Sequence, residues 1–487
     1  MQTRNLRMLN LKIARKMNKR LFKISASLLL ALMIGFTACE DDDDDNGKKE
    51  ENLTTVDEFK YLYAYVAEDD QGNPIGALPD GAAQDFEDHF NNNNNNTGGT
   101  SLTFADMPDA IIPAAGEAGN GKAPSDGWYD NVTYQGAFEP GGDNWASWTL
   151  TFGMEDADGT YTYTANDTMT VSGNITENTT WSNTTLYKLD GFVFVTGGAT
   201  LTIEEGTMIQ GLPGQEENAS ALIVARDGKI MAEGTAAKPI VFTKEGAKYM
   251  GGETDLTENG QWGGLIVLGA ATNNNPTSDR RVEGIPDEAG YPAEYGGDDA
   301  ASNSGVLKYI SIRHGGTDIG AGNEINGFTL GSVGTGTTID HIEVIANKDD
   351  GVEWFGGTAN TKHLLTAYCG DDSYDYDEGF RGKGQFWAAI QSQGTGGRLG
   401  EHDSGGPGEG ETPRSKPIVY NATYVGNGGD LITFRDDAGG VYANSIFFNT
   451  GGGIEVEYRE DKHNSLDQFI EGNLVIKDNI FQSVAAE

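Results

Sequence analysis

The chain has 487 residues, enough for one long solenoid or for two to three ordinary domains. It carries 33 basic against 74 acidic residues, a formal charge of −41; this excludes nucleic acid as a partner, because phosphate binding needs a basic surface. Gly makes up 69 residues with no Gly-X-Y period, and there are two cysteines, so the chain turns often, is not collagen-like and has no disulfide framework.

Residues 17–39 hold a basic stretch (Lys19, Arg20, Lys23), an apolar run (Ala26–Phe36), then small residues before Cys39. This is the layout of a secretory signal peptide over 1–38, too short for an ordinary membrane span. Met17 is an alternative start to Met1. Phe36-Thr37-Ala38-Cys39 resembles a bacterial lipobox, which implies cleavage before Cys39 and its lipidation. Glu40 and Asp41–Asp45 resemble the acidic export tag of Bacteroidetes surface lipoproteins. Residues 39–100 are expected to be a lipidated, acidic tether with a low-complexity run at Asn91–Asn96. Within it, residues 59–66 read as an aromatic strand expected to pair with the body. Residues 101–167 alternate turns with aromatic runs, and are expected to cap the first coil, since solenoid ends expose bare strand edges.

From residue 168 to 487 the pattern predicts a parallel β-helix. Short β-branched runs such as 192–195, 221–225 and 240–243 are broken by Gly, Asn or Asp, and no stretch sustains a helical period. Two polar stretches, 252–305 and 392–416, read as excursions from the coil, where solenoids often build binding faces. Within residues 339–379, a shift of 22 lays His341 on His363, Ile342 on Leu364 and Asp350 on Asp372. Asn421 and Asn444 lie 23 apart. A period near 22 with strand–turn–strand content marks a solenoid coil.

Residues one coil apart stack at the sheet spacing, ~4.8 Å. Asp349 is thus expected over Asp371 and Asp350 over Asp372, with Asp375 and Asp377 following in the same turn. Two bare carboxylates at that spacing repel by ~1 kcal/mol in water and ~3 kcal/mol at an effective dielectric of 20. A cation, a shared proton or the nearby Arg381 and Lys383 must offset this. Clustered hard oxygen ligands suit Ca²⁺, so Asp349, Asp350, Asp371, Asp372, Asp375 and Asp377 are the candidate metal ligands. A solvated turn whose acids pair with Arg381, Lys383 and backbone amides is the simplest alternative. Trp354, Tyr374, Tyr376, Arg381 and Lys383 lie close by and are candidate ligand-binding residues. Cys369 is expected to be buried. His341 and His363 fall in register and are expected to stack, with a two-histidine metal site as the sharper alternative.

Residues 191–211, 234–243, 260–271 and 349–387 together resemble a group of Bacteroidetes surface lipoproteins with a right-handed, pectate-lyase-like β-helix. The resemblance covers roughly residues 125–487. It implies that fold strongly and no established activity. The Asp-Asp-Gly to Gly-Asp-Asp spacing is also similar to motifs of polygalacturonases. That would make Asp350, Asp371 and Asp372 catalytic in an inverting hydrolysis. The Gly-His-Gly such enzymes carry one coil further on is missing, where this chain has Gln393. The expectation is therefore a lipid-anchored outer-membrane protein, exposed at the cell surface and non-catalytic. It would bind a glycan, a peptide or a partner protein, with a TonB-dependent receptor as neighbour. A polysaccharide hydrolase or lyase and an adhesin or structural coat are the alternatives.

Overall fold

The computed structural model describes most of residues 61–79, 123–152, 163–249, 258–317, 324–391, 396–405 and 412–484, with a few positions between 82 and 98. These belong to one unit, Val56–Glu487. The signal peptide, Cys39 and the acidic run lie outside the described residues.

The fold is a right-handed parallel β-helix, the hand that parallel crossovers take. Each coil visits three sheets, and each strand pairs with its equivalent in the next coil. The coil beginning at Thr338–Ile345 shows the plan. Its first half, Ile339 and Asp340, pairs with Thr361 and Lys362 in sheet I. Its second half, Ile342–Ile345, pairs with Leu364–Ala367 in sheet II. After a turn, Val352–Phe355 pairs with Tyr374–Asp377 in sheet III. The 22-residue shift read from the sequence is this register.

The corner between sheets I and II is a single residue in the left-handed region. Tyr309, His341, His363, Phe386, Asn421, Asn444 and Asp478 take φ between 49° and 60° there, coil after coil. Asn and Asp suit this conformation because their short polar side chains bond locally. The aromatic members stack: ring centroids lie 4.2 Å apart for Tyr309–His341 and His341–His363, and 4.9 Å for His363–Phe386. The expected stacking of His341 on His363 is present.

Strand alternation sends Trp354, Tyr374 and Tyr376 inward and their neighbours outward. Inside, Trp354 stacks on Trp387 at 4.9 Å, Tyr374 on Trp387 at 5.0 Å, and Tyr376 on His402 at 4.0 Å. All three candidate ligand-binding aromatics are fully buried in this core. They hold coils together and cannot touch an external ligand, which corrects the sequence expectation. Cys369 is buried as expected, and desolvation pushes its thiol up to about 12.

The aromatic strand read over residues 59–66 pairs with the body as expected, and its partner lies in the last coil. Leu62–Val66 pairs in full register with Ile454–Tyr458, the last strand of sheet III. Thr97–Gly98 pairs with Ile480–Phe481. Asn96, from the polyasparagine run, donates to the Ile476 carbonyl at 2.8 Å and accepts from the Asn479 amide at 3.1 Å. The early chain therefore adds strands to the last coil rather than to the first.

Residues 123–152 do not close the first coil either. They run as a strap along the outside of sheet II and the left-handed corner. Tyr134 takes the Asn421 and Asn444 side-chain amides on its carbonyl, at 3.0 and 2.8 Å. Gly136 has φ of 81°, and a Cβ there would meet Thr423 Oγ1 at 2.7 Å; glycine is needed for this approach. At the strap's end the fully buried Glu343 accepts from Leu150 N, Thr151 N, Thr151 Oγ1 and Ser311 Oγ. The excursions are shorter than expected. Leu265–Leu268 and Arg398–His402, placed inside them by the sequence reading, are coil strands of sheet III. A six-residue helix, α1 (Ser465–Ile470), sits between the strands Ile454–Tyr458 and Leu474–Lys477 and begins with an Asn464–Asp467 capping box.

Replacing Glu343 with Ala leaves these buried donors without an acceptor. At about 1–3 kcal/mol for an orphaned buried group, the variant is expected to lose at least about 2 kcal/mol in urea unfolding. Proteolysis should then begin within 123–152; a variant with wild-type stability and an intact strap would contradict this reading.

Candidate functional site: an acidic ladder on sheet III

The outer face of sheet III changes character along the solenoid. In the early coils it is apolar. Phe192, Phe194, Ile223, Ile266 and Leu268 are covered by Val282, Ile285, Ala293 and Tyr295 of the first excursion. Past Thr329 it turns acidic. Glu353 lies in register with Asp375, and Asp375 with Glu401. The column continues through Thr433 to Glu455 and ends at Tyr63. Tyr63 Oη donates to Glu455 Oε1 at 2.8 Å.

The turn before this strand adds the acids the repeat pointed to. Asp350 Oδ1 accepts the Asp372 amide at 2.9 Å, and Asp372 Oδ1 accepts the Arg398 amide. The predicted stacking is therefore present. Asp350 and Asp372 are only 7% and 4% exposed, whereas Asp371 is on the surface. One carboxylate oxygen from each of Asp349, Asp350 and Asp371 falls within 4.8 Å of the others. The same holds for Asp350, Glu353 and Asp375. Asp375 and Asp377 come from strand Tyr374–Asp377, not from the turn, and face outward because the tyrosines between them face in.

Arg381 and Lys383 do not neutralise these acids. Lys383 pairs with Asp126 of the strap and lies over the Tyr129 ring. Arg381 is exposed and donates to the Arg414 carbonyl at 3.4 Å. Other residues supply the cations. Arg435 binds Glu401 at 2.5 Å and Asp403 at 2.7 Å. Arg398 reaches Glu401 at 3.4 Å and Glu455 at 3.2 Å. Arg280 of the excursion binds Glu378 at 2.5 Å. All three serve the ladder's far half or its margin. Among the described residues, no Lys or Arg forms an ion pair with Asp349, Asp350, Glu353, Asp371, Asp375 or Asp377.

Protonation responds to this imbalance. Burial, then the Glu283, Glu324 and Asp371 charges, push Asp349 up to about 7. Burial and Asp372 raise Asp350 well above the usual range; burial, Glu283 and Asp375 do the same for Glu353. Burial and Asp350 raise Asp375, and burial with Asp403 raises Asp377. Burial raises Asp403 to about 6 although Arg435 opposes it. One Asp375 oxygen, Oδ1, is buried without a hydrogen-bond partner. So is Oδ1 of the buried Asn326, whose amide nitrogen donates to Glu353. Carboxylate and amide oxygens with unfilled valence are the donor set of a hard divalent cation. The residues present fit Ca²⁺.

Sequence reasoning named six acids here and missed Glu353, Glu401, Asp403 and Asn326. Glu353 lies 22 residues before Asp375, so the repeat carried that signal. Glu401 was hidden because this coil is longer, with a step of 26 from Asp375. Gln393 lies outside the described residues.

A family model described as a pectate-lyase like beta helix domain matches residues 173–487. The chain belongs to this family. The match begins within the first coil strand and runs through every coil of the β-helix. No curated protein matches the chain. Among solved structures, full-length tailspike protein 2 from Escherichia coli O157:H7 bacteriophage CAB120 aligns at 13% identity and a TM-score of 0.16. That alignment covers 61% of this chain and 37% of the tailspike.

The raised carboxyls set a pH dependence. Folded pKa values near 7 for Asp349 and near 6 for Asp403 lie above the unfolded aspartate value, ~3.9. The folded state thus binds more protons between about pH 4 and 7, and stability falls as pH rises through that window. The chelator-treated protein is expected to melt at a higher temperature at pH 5 than at pH 8. Equal or reversed melting temperatures would show the ladder is already balanced by charge within the protein.

Proposed function

We propose that this protein is a lipid-anchored β-helix of the outer membrane, exposed at the cell surface. On this reading its acidic ladder holds Ca²⁺ and presents an extracellular ligand-binding face. The observation that carries the reading is the run of stacked acids Asp349, Asp350, Glu353, Asp371 and Asp375, to which no Lys or Arg among the described residues is ion-paired. Asp350, shared by both carboxylate triplets, would bind at the centre, with Asp349 and Asp371 towards the turn and Glu353 and Asp375 on the sheet. Asp372, bonded to the Arg398 amide, would support Asp350 from behind, and Asp377 would extend the acidic face. When bound, Ca²⁺ supplies positive charge and open coordination positions that attract acidic or hydroxyl-rich groups. The ligand class is a glycan, an acidic peptide or a partner protein. The exposed Arg381 and Asp371 are side chains such a ligand would meet.

Sequence supports the location. The signal peptide, Cys39 in its lipobox-like setting and the acidic run after it suit a Bacteroidetes surface lipoprotein. One acyl chain holds a protein only marginally, so the several chains of a lipidated N-terminus matter. A TonB-dependent receptor is the neighbour this location suggests.

Catalysis by Asp350, Asp371 and Asp372 is the competing reading. It asks two of these carboxyls to move protons while they are nearly buried and serve as acceptors for backbone amides. Such ties suit a structural role better than an acid–base pair.

The chain from residue 46 keeps every described residue and suits the test. Saturating Ca²⁺ is expected to raise its melting temperature, since a ligand at 100 times its Kd stabilises by about 2.7 kcal/mol. Asp375→Asn should remove most of that shift. A glycan and peptide array should show Ca²⁺-dependent binding. An unchanged melting temperature would contradict the reading, and release of new reducing ends from acidic polysaccharides would favour the hydrolase.

A further inference from the structure

A second convergence of ligand atoms lies around the coil from the ladder, at the left-handed corner under the strap. Asp340 Oδ1 sits 2.8 Å from His341 Nδ1 and 2.7 Å from His363 Nδ1. The three ligand atoms lie within 4.8 Å of one another. We propose that Asp340, His341 and His363 bind one transition-metal ion of the Zn²⁺ or Cu²⁺ class.

Three observations support this. First, one carboxylate bonds well to only one of the two rings. His363 Nδ1 makes an aligned hydrogen bond to Asp340. His341 Nδ1 is buried without one, although the same oxygen is near. His341 Nδ1 is thus a ligand atom close to the carboxylate whose hydrogen-bonding capacity is left unused. Second, the rings are already fixed. They stack on each other and between Tyr309 and Phe386, and Trp145 of the strap meets them edge-on at 6.0 and 5.1 Å. Pre-ordered ligands are the costly part of a metal site.

Third, neither the backbone nor the packing asks for histidine here. Later coils place Asn421 and Asn444 at the same corner, which suits its conformation better, and Tyr309 and Phe386 show that plain aromatics stack equally well. Two histidines in adjacent coils, one of them directly following Asp340, add metal-binding chemistry to a position that does not otherwise need it.

The donor set defines the ion. Two imidazole nitrogens and one carboxylate suit Zn²⁺, Cu²⁺ or Ni²⁺, not Ca²⁺. Zinc bonds of ~2.0 Å in a tetrahedral array set ligand atoms roughly 3.3 Å apart. Each contact therefore needs to open by about half an ångström, which side-chain rotation allows. The side chains of His341, His363 and Asp340 keep 14%, 17% and 27% of their surface exposed, so small side-chain rotations open the buried His341 Nδ1 to solvent. Lys362, the in-register neighbour of Asp340, is held aside by Asp130 at 3.0 Å and the Trp128 ring. Lys308 is the other in-register neighbour and opposes the ion.

The test uses the chain from residue 46, stripped with chelator and given one equivalent of Cu²⁺. Electron paramagnetic resonance is expected to show coupling to two imidazole nitrogens, and Zn²⁺ should displace that signal. His341→Asn and His363→Asn install the residue that later coils use, so both should fold with near wild-type circular dichroism. Each should weaken Cu²⁺ by more than the roughly 10- to 100-fold that losing an outer-shell partner costs. The ladder variant Asp375→Asn should leave the signal unchanged. The proposal is overturned if nitrogen coupling is missing, if the asparagine variants bind as wild type does, or if Asp375→Asn abolishes the signal. None of these outcomes bears on Ca²⁺ at the ladder.

Discussion

The whole structure depends on vertical stacking. In a parallel β-helix each position lies ~4.8 Å from its equivalent in the next coil, so whatever one coil places there, the next must tolerate. Inside, this stacks Trp354 on Trp387 and Tyr376 on His402, where aromatic contact adds to burial. At the left-handed corner it stacks the histidines and aligns Asn421 with Asn444. On the outer face of sheet III it sets Glu353 over Asp375 over Glu401, and the same geometry becomes a cost. At an effective dielectric of 20 each adjacent pair of charged carboxylates opposes folding by ~3 kcal/mol.

The protein meets that cost unevenly. Arg398 and Arg435 are inserted beside Glu401, Asp403 and Glu455, and Arg280 reaches Glu378 from the excursion. Among the described residues, no Lys or Arg forms an ion pair with Asp349, Asp350, Glu353, Asp371 or Asp375. A chain that places arginines next to one half of a ladder had the means to place them next to the other. Leaving that half unpaired, with buried oxygens on Asp375 and Asn326 unsatisfied, is what a cation site needs and what a purely structural surface avoids. The excursion covers the apolar part of sheet III and reaches the margin of the acids, where its Arg280 and Tyr295 bind Glu378 and its Glu283 adds a further carboxylate beside Asn326 and Glu353.

Much of the fold was legible because its signal is periodic. The shift of 22 between His341 and His363, and between Asp350 and Asp372, is the sheet register itself. The acids in strand 374–377 were found from their closeness in sequence to Asp371 and Asp372, and their place in a strand rather than a turn was not. Three things were hidden. Glu401 sits a longer coil away from Asp375, so counting by 22 misses it. The aromatics near the acids stood as candidate ligand-binding residues, but strand alternation sends Trp354, Tyr374 and Tyr376 inward as surely as it sends Asp375 outward. Leu62–Val66 pairs with a strand nearly four hundred residues later, and no local pattern shows that partner. Lys383 seemed close to the acids in sequence, yet it lies on sheet I, around the coil, where the strap's Asp126 takes it.

The central claim is that the unpaired half of the ladder is completed by a hard cation. Crystals soaked in Tb³⁺, a Ca²⁺ substitute with strong anomalous scattering, locate such an ion directly. The account predicts an anomalous peak among Asp350, Glu353 and Asp375, within bonding distance of Asp375 Oδ1. A map with no peak there, and Asp375 instead hydrogen-bonded as a neutral carboxylic acid, would contradict it.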